Sequence, residues 1–209
     1  MKSLVAALML LLALPALAKP LALDELSVAP LMNGQTIPPA LVKTLAGKVV
    51  DLNTFLAGKP SVIFFYRGGW CPFCNSQMGQ LKAIEPKLIE MGFQLIGISP
   101  DSPEKLNASM LSQSLPYTLL SDTELQAMQA FGLGYYSSAR ITERYMSKMK
   151  LDNLLRPTPD GDMRLVLPVP AIYITDASGL IHFQYVNPNY KVRAAPKLIL
   201  TAASLVPQP

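Results

Sequence analysis

Thiols, imidazoles and blocks of like charge are scarce in this chain of 209 residues, which has two cysteines, one histidine and one tryptophan. A closed zinc site needs four ligands, and Cys71, Cys74 and the distant His182 cannot form one from thiol and imidazole alone. A cysteine hydrolase would lean on that same histidine as its base. His182 stands instead on a strand where Ile181, Phe183 and Tyr185 alternate, the setting of a structural residue. Lysine and arginine, 18 in all against 14 acidic side chains, are dispersed, with no basic block interleaved with aromatics. The surface is therefore a mildly basic, soluble one with no nucleic-acid role. No internal repeat or low-complexity tract appears, and the 19 prolines fall between apolar segments.

What is present begins with a processing signal. Lys2 supplies a positive start, Leu4 to Leu14 is apolar throughout, and Pro15 precedes the small-x-small pattern Ala16-Leu17-Ala18. The apolar stretch falls short of the roughly 20 residues that a membrane span needs. Residues 1–18 are thus expected to be a signal peptide cleaved before Lys19, and no cysteine near the cut suggests a lipid anchor. Export across the inner membrane, a periplasmic location and no membrane span after processing follow. Residues 19–209 suit a single domain that can bury its own core without disulfide staples.

Both cysteines lie in FFYRGGWCPFCNSQ, residues 64–77. In an oxidising compartment a structural bridge is the plainest use of such a pair, but a loop this small yields at most about 2 kcal/mol by chain entropy. Redox chemistry explains the pattern better. Ser61 to Tyr66 reads as a short buried strand after the loop ending at Lys59-Pro60, and Gly68-Gly69 breaks it. Pro72 then suits the first turn of a helix running through Gln77, Leu81 and Ile84. Cys71 is placed at the helix N-terminus, where free N–H groups and the macrodipole favour the thiolate, with Arg67 adding positive charge. Cys74, one turn on, is within reach of a disulfide or sulfenate formed at Cys71. Trp70 is placed to shield the pair.

Downstream, Pro86 is expected to kink or split the helix. Phe93 to Ser99 reads as a second buried strand, helical segments at about 103–113 and 122–131 flank a short strand from Tyr117 to Leu120, and residues 134–168 read as a polar, irregular insert. Ile141, Tyr145 and Met149 recur there at helical spacing, and its basic residues form a solvated face. Ala171 to Thr175 and Leu180 to Val186 bracket Asp176-Ala177-Ser178-Gly179 as a hairpin, and a helix over about 194–205 ends the chain. The expected fold is α/β and thioredoxin-like, a central mixed β-sheet with helices on both faces.

The segments FYRGGWCPFCN, SDTELQAMQAFGL and LPVPAIYITDASGLIHFQYVNPNYKVR resemble the peroxiredoxin-like branch of the alkyl hydroperoxide reductase/thiol-specific antioxidant family, within the thioredoxin superfamily. The resemblance covers roughly residues 45–205. It implies a thioredoxin fold, Cys71 as the attacking thiol, Cys74 as its resolving partner, and Pro170, after Val169, at the position of the superfamily's cis-proline. It implies no cofactor and no metal; its partners would be a peroxide or a protein disulfide as substrate, and a thioredoxin-like protein or small thiol as electron donor. Arg193 is read as a surface residue. One departure stands out: where typical peroxiredoxins have a Thr or Ser three residues before the peroxidatic cysteine and a Pro seven before, this chain has Gly68 and Phe64. The C-P-x-C arrangement itself resembles glutaredoxins and periplasmic disulfide oxidoreductases. Peroxide reduction, disulfide exchange and, since soft thiolates and ten methionines suit that ion, Cu(I) handling are the activities left open.

Overall fold

The continuous apolar runs of the sequence become the strands buried on both faces. A computed structural model of the protein describes residues 19–149 and 151–207; the expected signal segment lies outside them. Strand β1 (Leu41–Lys43) and β2 (Val49–Asp51) form a hairpin leading into helix α1 (Leu52–Leu56), whose N-cap Asp51 accepts from the Thr54 amide. Then come β3 (Ser61–Phe65), α2 (Pro72–Glu90), β4 (Gln94–Ser99), α3 (Pro103–Gln113), β5 (Thr118–Ser121) and α4 (Gln126–Ala130). An insert holds β6 (Gly134–Tyr136), α5 (Ala139–Met146), β7 (Leu155–Pro157) and β8 (Met163–Pro168). The hairpin of β9 (Ala171–Thr175) and β10 (Ile181–Val186) precedes α6 (Pro196–Ser204).

Seven strands make one mixed sheet in the order β10-β9-β3-β4-β5-β1-β2. Parallel β3, β4 and β5 form its centre, and β9 runs antiparallel to β3. Because side chains alternate along a strand, β3 feeds two cores. Ile63 and Phe65 join a cluster with Leu52 of α1, Met128 of α4 and Leu165 of β8. Val62, Phe64 and Tyr66 join the other, with Met78, Leu81 and Leu88 of α2, Leu106 of α3 and Ile199 of α6. Truncating a leucine as buried as Leu81 or Leu88 to alanine costs about 2–5 kcal/mol.

Three expectations need correction. Pro86 does not split α2, which runs unbroken for 19 residues; Pro86 is on the exposed side of the helix, so water can serve the carbonyl that its missing N–H leaves unpaired. The insert is not irregular. Strands β6, β8 and β7 form an antiparallel sheet of their own, because Leu165, Val166 and Leu167 are wholly buried in the first core. Only α5 keeps the polar face, with Arg140 and Arg144 exposed. The segment at 122–131 is helical only as α4: Leu125 takes a left-handed φ of 63°, and the Asp122 carboxylate accepts the amides of Ala127 and Met128 at 3.0 and 2.8 Å. Among the described residues no helix is long and apolar enough to cross a membrane.

Candidate active site

The turn between β3 and α2 is fixed by hydrogen bonds to its backbone. Tyr66 continues the strand by donating to the Ile98 carbonyl at 3.1 Å, the Gly69 amide donates to Asp101 Oδ2 at 2.7 Å, and the Cys71 amide returns to the Gly68 carbonyl at 3.1 Å. Asn75 of α2 closes the turn by donating to the Gly69 carbonyl at 2.8 Å. Gly68 has φ 138°, and a Cβ there would run into the Trp70 indole and stand 2.9 Å from Asp101 Oδ1. The absent hydroxyl residue at this position is thus a condition of the turn: a left-handed φ with no room for a side chain admits glycine alone. Burial holds the Asp101 carboxyl above its ordinary range, against the pull of the Gly69 amide.

This turn delivers Cys71 to the N-cap of α2 in extended conformation, with exposed Pro72 in the first helical turn, both as expected. The two thiols are free, and each is 1% exposed. The Cys71 thiol is drawn down to about 6, first by the hydrogen bond from the Cys74 thiol, then against burial by the Cys74 backbone amide and the charges of Arg67 and Arg193. Cys74 moves the other way. Burial, then its bond and repulsion with Cys71, hold it well above the ordinary thiol value. Near neutral pH the pair is therefore one thiolate and one thiol, with the anion at the helix start.

Arg67 is 2% exposed and lies among three aromatic rings, 4.3 Å from the Tyr190 centroid, 5.2 Å from Trp70 and 5.3 Å from Tyr145. It donates through Nη2 to the Tyr145 hydroxyl at 3.2 Å, while its Nε and Nη1 are buried without an acceptor. Trp70 packs edge-on against Tyr145 and against both cores. Beside it a cleft of about 310 Å³ is lined by Gly69, Ala108, Met149 and Leu151, with Asp101 and Lys105 among its polar groups.

Arg193, half-buried, is more than a surface residue. Its guanidinium reaches Cys74 Sγ at 3.4 Å and Gln77 Oε1 at 3.0 Å, and its Nε donates to the Tyr190 carbonyl at 2.8 Å. The Val169–Pro170 peptide is trans, contrary to the expected cis geometry. The Val169 amide donates to the Leu133 carbonyl and the Pro170 carbonyl accepts from the Asn187 amide. That carbonyl is thereby engaged within the chain. His182 bonds Asp176 at 2.9 Å in the β9–β10 turn. That turn follows Thr175, which pairs with Ser61, whereas Phe65 at the cysteine end pairs with Ala171; the histidine is at the far end of the sheet.

Sequence reading missed Tyr145, Tyr190 and Asp101. Only Tyr145 left a trace, as part of a helical apolar stripe. Each comes from an element remote in sequence, and a single chain carries no signal of that pairing.

Comparison with known proteins gives the family and the fold. The chain is 34% identical over 159 residues to the chloroplastic peroxiredoxin Q of Sedum lineare, covering 76% of this chain and 71% of that protein. To peroxiredoxin Bcp of Escherichia coli K12 it is 33% identical over 104 residues, half of this chain and 66% of that one. Among solved structures, reduced Prx3 from Vibrio vulnificus superposes with a TM-score of 0.65 at 18% identity, over 83% of this chain and 99% of that chain. Peroxidoxin BcpB from Mycobacterium tuberculosis does so with a TM-score of 0.63 at 18% identity, over 84% and 98%. These structures share the fold, a mixed sheet flanked by helices. With the AhpC/TSA family model matching residues 33–184, across the dithiol turn and the β9–β10 hairpin, the chain belongs to the AhpC/TSA family of thiol-dependent oxidoreductases.

Proposed function

We propose that this protein is an exported peroxidase in which Cys71 attacks and Cys74 resolves. The observation that carries this reading is that the activated sulfur is 1% exposed. A terminal peroxide oxygen can approach such an atom; a protein disulfide has to bring two flanking chains to it. The Cys71 thiolate attacks the terminal oxygen, the O–O bond breaks, and the leaving alkoxide or hydroxide takes a proton to give alcohol or water. Arg67 stabilises the thiolate and turns its unpaired N–H groups to the incoming oxygens, a role for which position 68 has no hydroxyl. Cys74 then loses its proton and attacks the Cys71 sulfenic acid, water departs, and an internal disulfide remains. A thiol donor, thioredoxin-like protein or small thiol, returns two electrons by exchange.

Disulfide exchange on proteins is the second reading, supported by the one-turn spacing of Cys74 and opposed by the same burial. Two guanidiniums beside the sulfurs oppose Cu(I) handling, because they repel a cation. Intact-mass spectrometry after one equivalent of hydrogen peroxide tests the reading. Cys74→Ser should gain one oxygen and stall, and Cys71→Ser should gain none; a covalently held thiol from an added disulfide, with no oxygen gained, would move the assignment to exchange. Export rests on the Ala16-Leu17-Ala18 pattern. Protein recovered from the periplasm should begin KPLALDEL on N-terminal sequencing, and full-length cytoplasmic protein would end that part of the reading.

A further inference from the structure

Between β10 and α6 the chain crosses the dithiol without regular structure. Asn187 Oδ1 accepts the Asn189 amide at 2.9 Å, Asn189 Oδ1 accepts the Lys191 amide at 3.2 Å, and the Val192 amide donates to the Asn189 carbonyl at 2.9 Å. These bonds make a tight turn with Asn189, Lys191 and Val192 exposed. Tyr190, in the middle, is instead turned inward. Its ring stacks on Arg67 at 4.3 Å and meets Phe73 edge-on at 5.6 Å. Arg67 precedes Cys71 in sequence and Phe73 follows it, so one ring ties together the chain on either side of the attacking residue. From below, Arg193 clips the turn down, holding the Tyr190 carbonyl with one nitrogen and Gln77 and Cys74 of α2 with the other two.

We propose that Tyr190 is a specificity-determining lid, which admits small hydroperoxides to Cys71 and holds off bulky disulfides. The proposal rests on the peroxidase reading. Attack on a disulfide needs the thiolate, the struck sulfur and the leaving sulfur in line, with a substituent on each sulfur. A hydroperoxide presents a terminal oxygen carrying only hydrogen. A ring spanning Arg67 and Phe73 therefore obstructs the first far more than the second, and discrimination is a difference between the two barriers rather than a property of either. The ring's hydroxyl takes no part in this; its area and its stacking on Arg67 do.

The test compares second-order rate constants of the reduced protein with hydrogen peroxide and with 5,5′-dithiobis(2-nitrobenzoate), an aromatic disulfide. In Tyr190→Ala the disulfide-to-peroxide ratio should rise about tenfold over the unsubstituted protein, while Tyr190→Phe, which keeps the ring, should keep the original ratio. Phe73→Ala removes the ring's outer support without touching Tyr190 and should raise the ratio in the same direction, so a misfolded Tyr190→Ala protein does not stall the test. An unmoved ratio in both alanine variants, or a Phe variant as permissive as alanine, overturns the lid. If the unsubstituted protein reacts with the disulfide and not with peroxide, the peroxidase reading falls. The lid is then judged on the disulfide rate alone, and no rise in Tyr190→Ala overturns it too.

Discussion

Two kinds of chain hold the dithiol, and they differ in how they are built. Residues 64–77 form one contiguous unit in which a strand end, a glycine turn and a helix start place Cys71, with the Cys71 amide and the Asn75 side chain closing the turn within a few residues and Asp101 holding the Gly69 amide. Tyr145 and Tyr190 reach Arg67, and Arg193 reaches Gln77 and Cys74, from α5 and from the turn before α6; the hydrogen bonds of Tyr145 and Arg193 span 78 to 119 residues of sequence. The first unit generates the thiolate. The second covers it, charges it and selects what reaches it. A nucleophile can therefore be built locally, while its protection requires folded sequence from elsewhere.

Substitutions can set the two units against each other. The largest effect should come from breaking the local one. Gly68→Thr, which restores the hydroxyl of typical peroxiredoxins, forces a β-branched residue into φ 138° against Trp70. A loss of about 3 kcal/mol or more is expected in urea unfolding, with peroxide reduction abolished rather than improved. A stable, more active variant would show that the turn is not the constraint.

Arg67→Met comes next, because Arg67 belongs to the local unit by sequence and to the aromatic cover by packing. Removing its charge raises the Cys71 thiol from about 6 toward the ordinary value, so less thiolate is present at neutral pH. The unsubstituted protein's rate should rise with pH through about 6 and then level, since only the deprotonated form attacks. In Arg67→Met that midpoint should move up, and the rate at pH 6 should fall about tenfold. Stopped-flow pH profiles decide it, and an unshifted midpoint would detach Arg67 from the thiolate.

A remote substitution, Arg193→Gln, should act mainly on the second step. Arg193 offsets part of the upward push on Cys74, so its loss leaves that thiol harder to ionise and disulfide closure about threefold slower, against a smaller change in sulfenate formation. Trapping the sulfenate by a time series of mass spectra separates the two. The smallest effect is expected of Tyr145→Phe, which keeps the ring on Arg67 but drops one hydrogen bond, for about 1 kcal/mol in unfolding free energy.

Much of the fold was legible because burial writes itself into short stretches. The SVIFF run, the QLIGIS run and AIYIT are buried almost throughout, and α3 begins and ends where Pro103 and Gln113 suggested. The insert was misread for a related reason. Its polar α5 and loops dominate the composition, whereas its buried apolar residues, among them Leu151, Leu154 and Leu165 to Leu167, gain meaning only from the core they enter. Strands β1 and β2, three residues each, are too short to leave a period.

By itself the sequence determined the nucleophile: an apolar strand, two glycines, and a cysteine followed by proline at a helix start are local facts, because capping and turn geometry act over a few residues. The thiolate at Cys71 was already expected from its place at the helix start; the tertiary structure alone added the burial that raises the Cys74 thiol and the Arg193 charge beside the pair. It also decided that Pro170 is trans with its carbonyl engaged, and that Tyr190 closes over Arg67. Electrostatics and access act through space, and only folding brings residue 190 to residue 67.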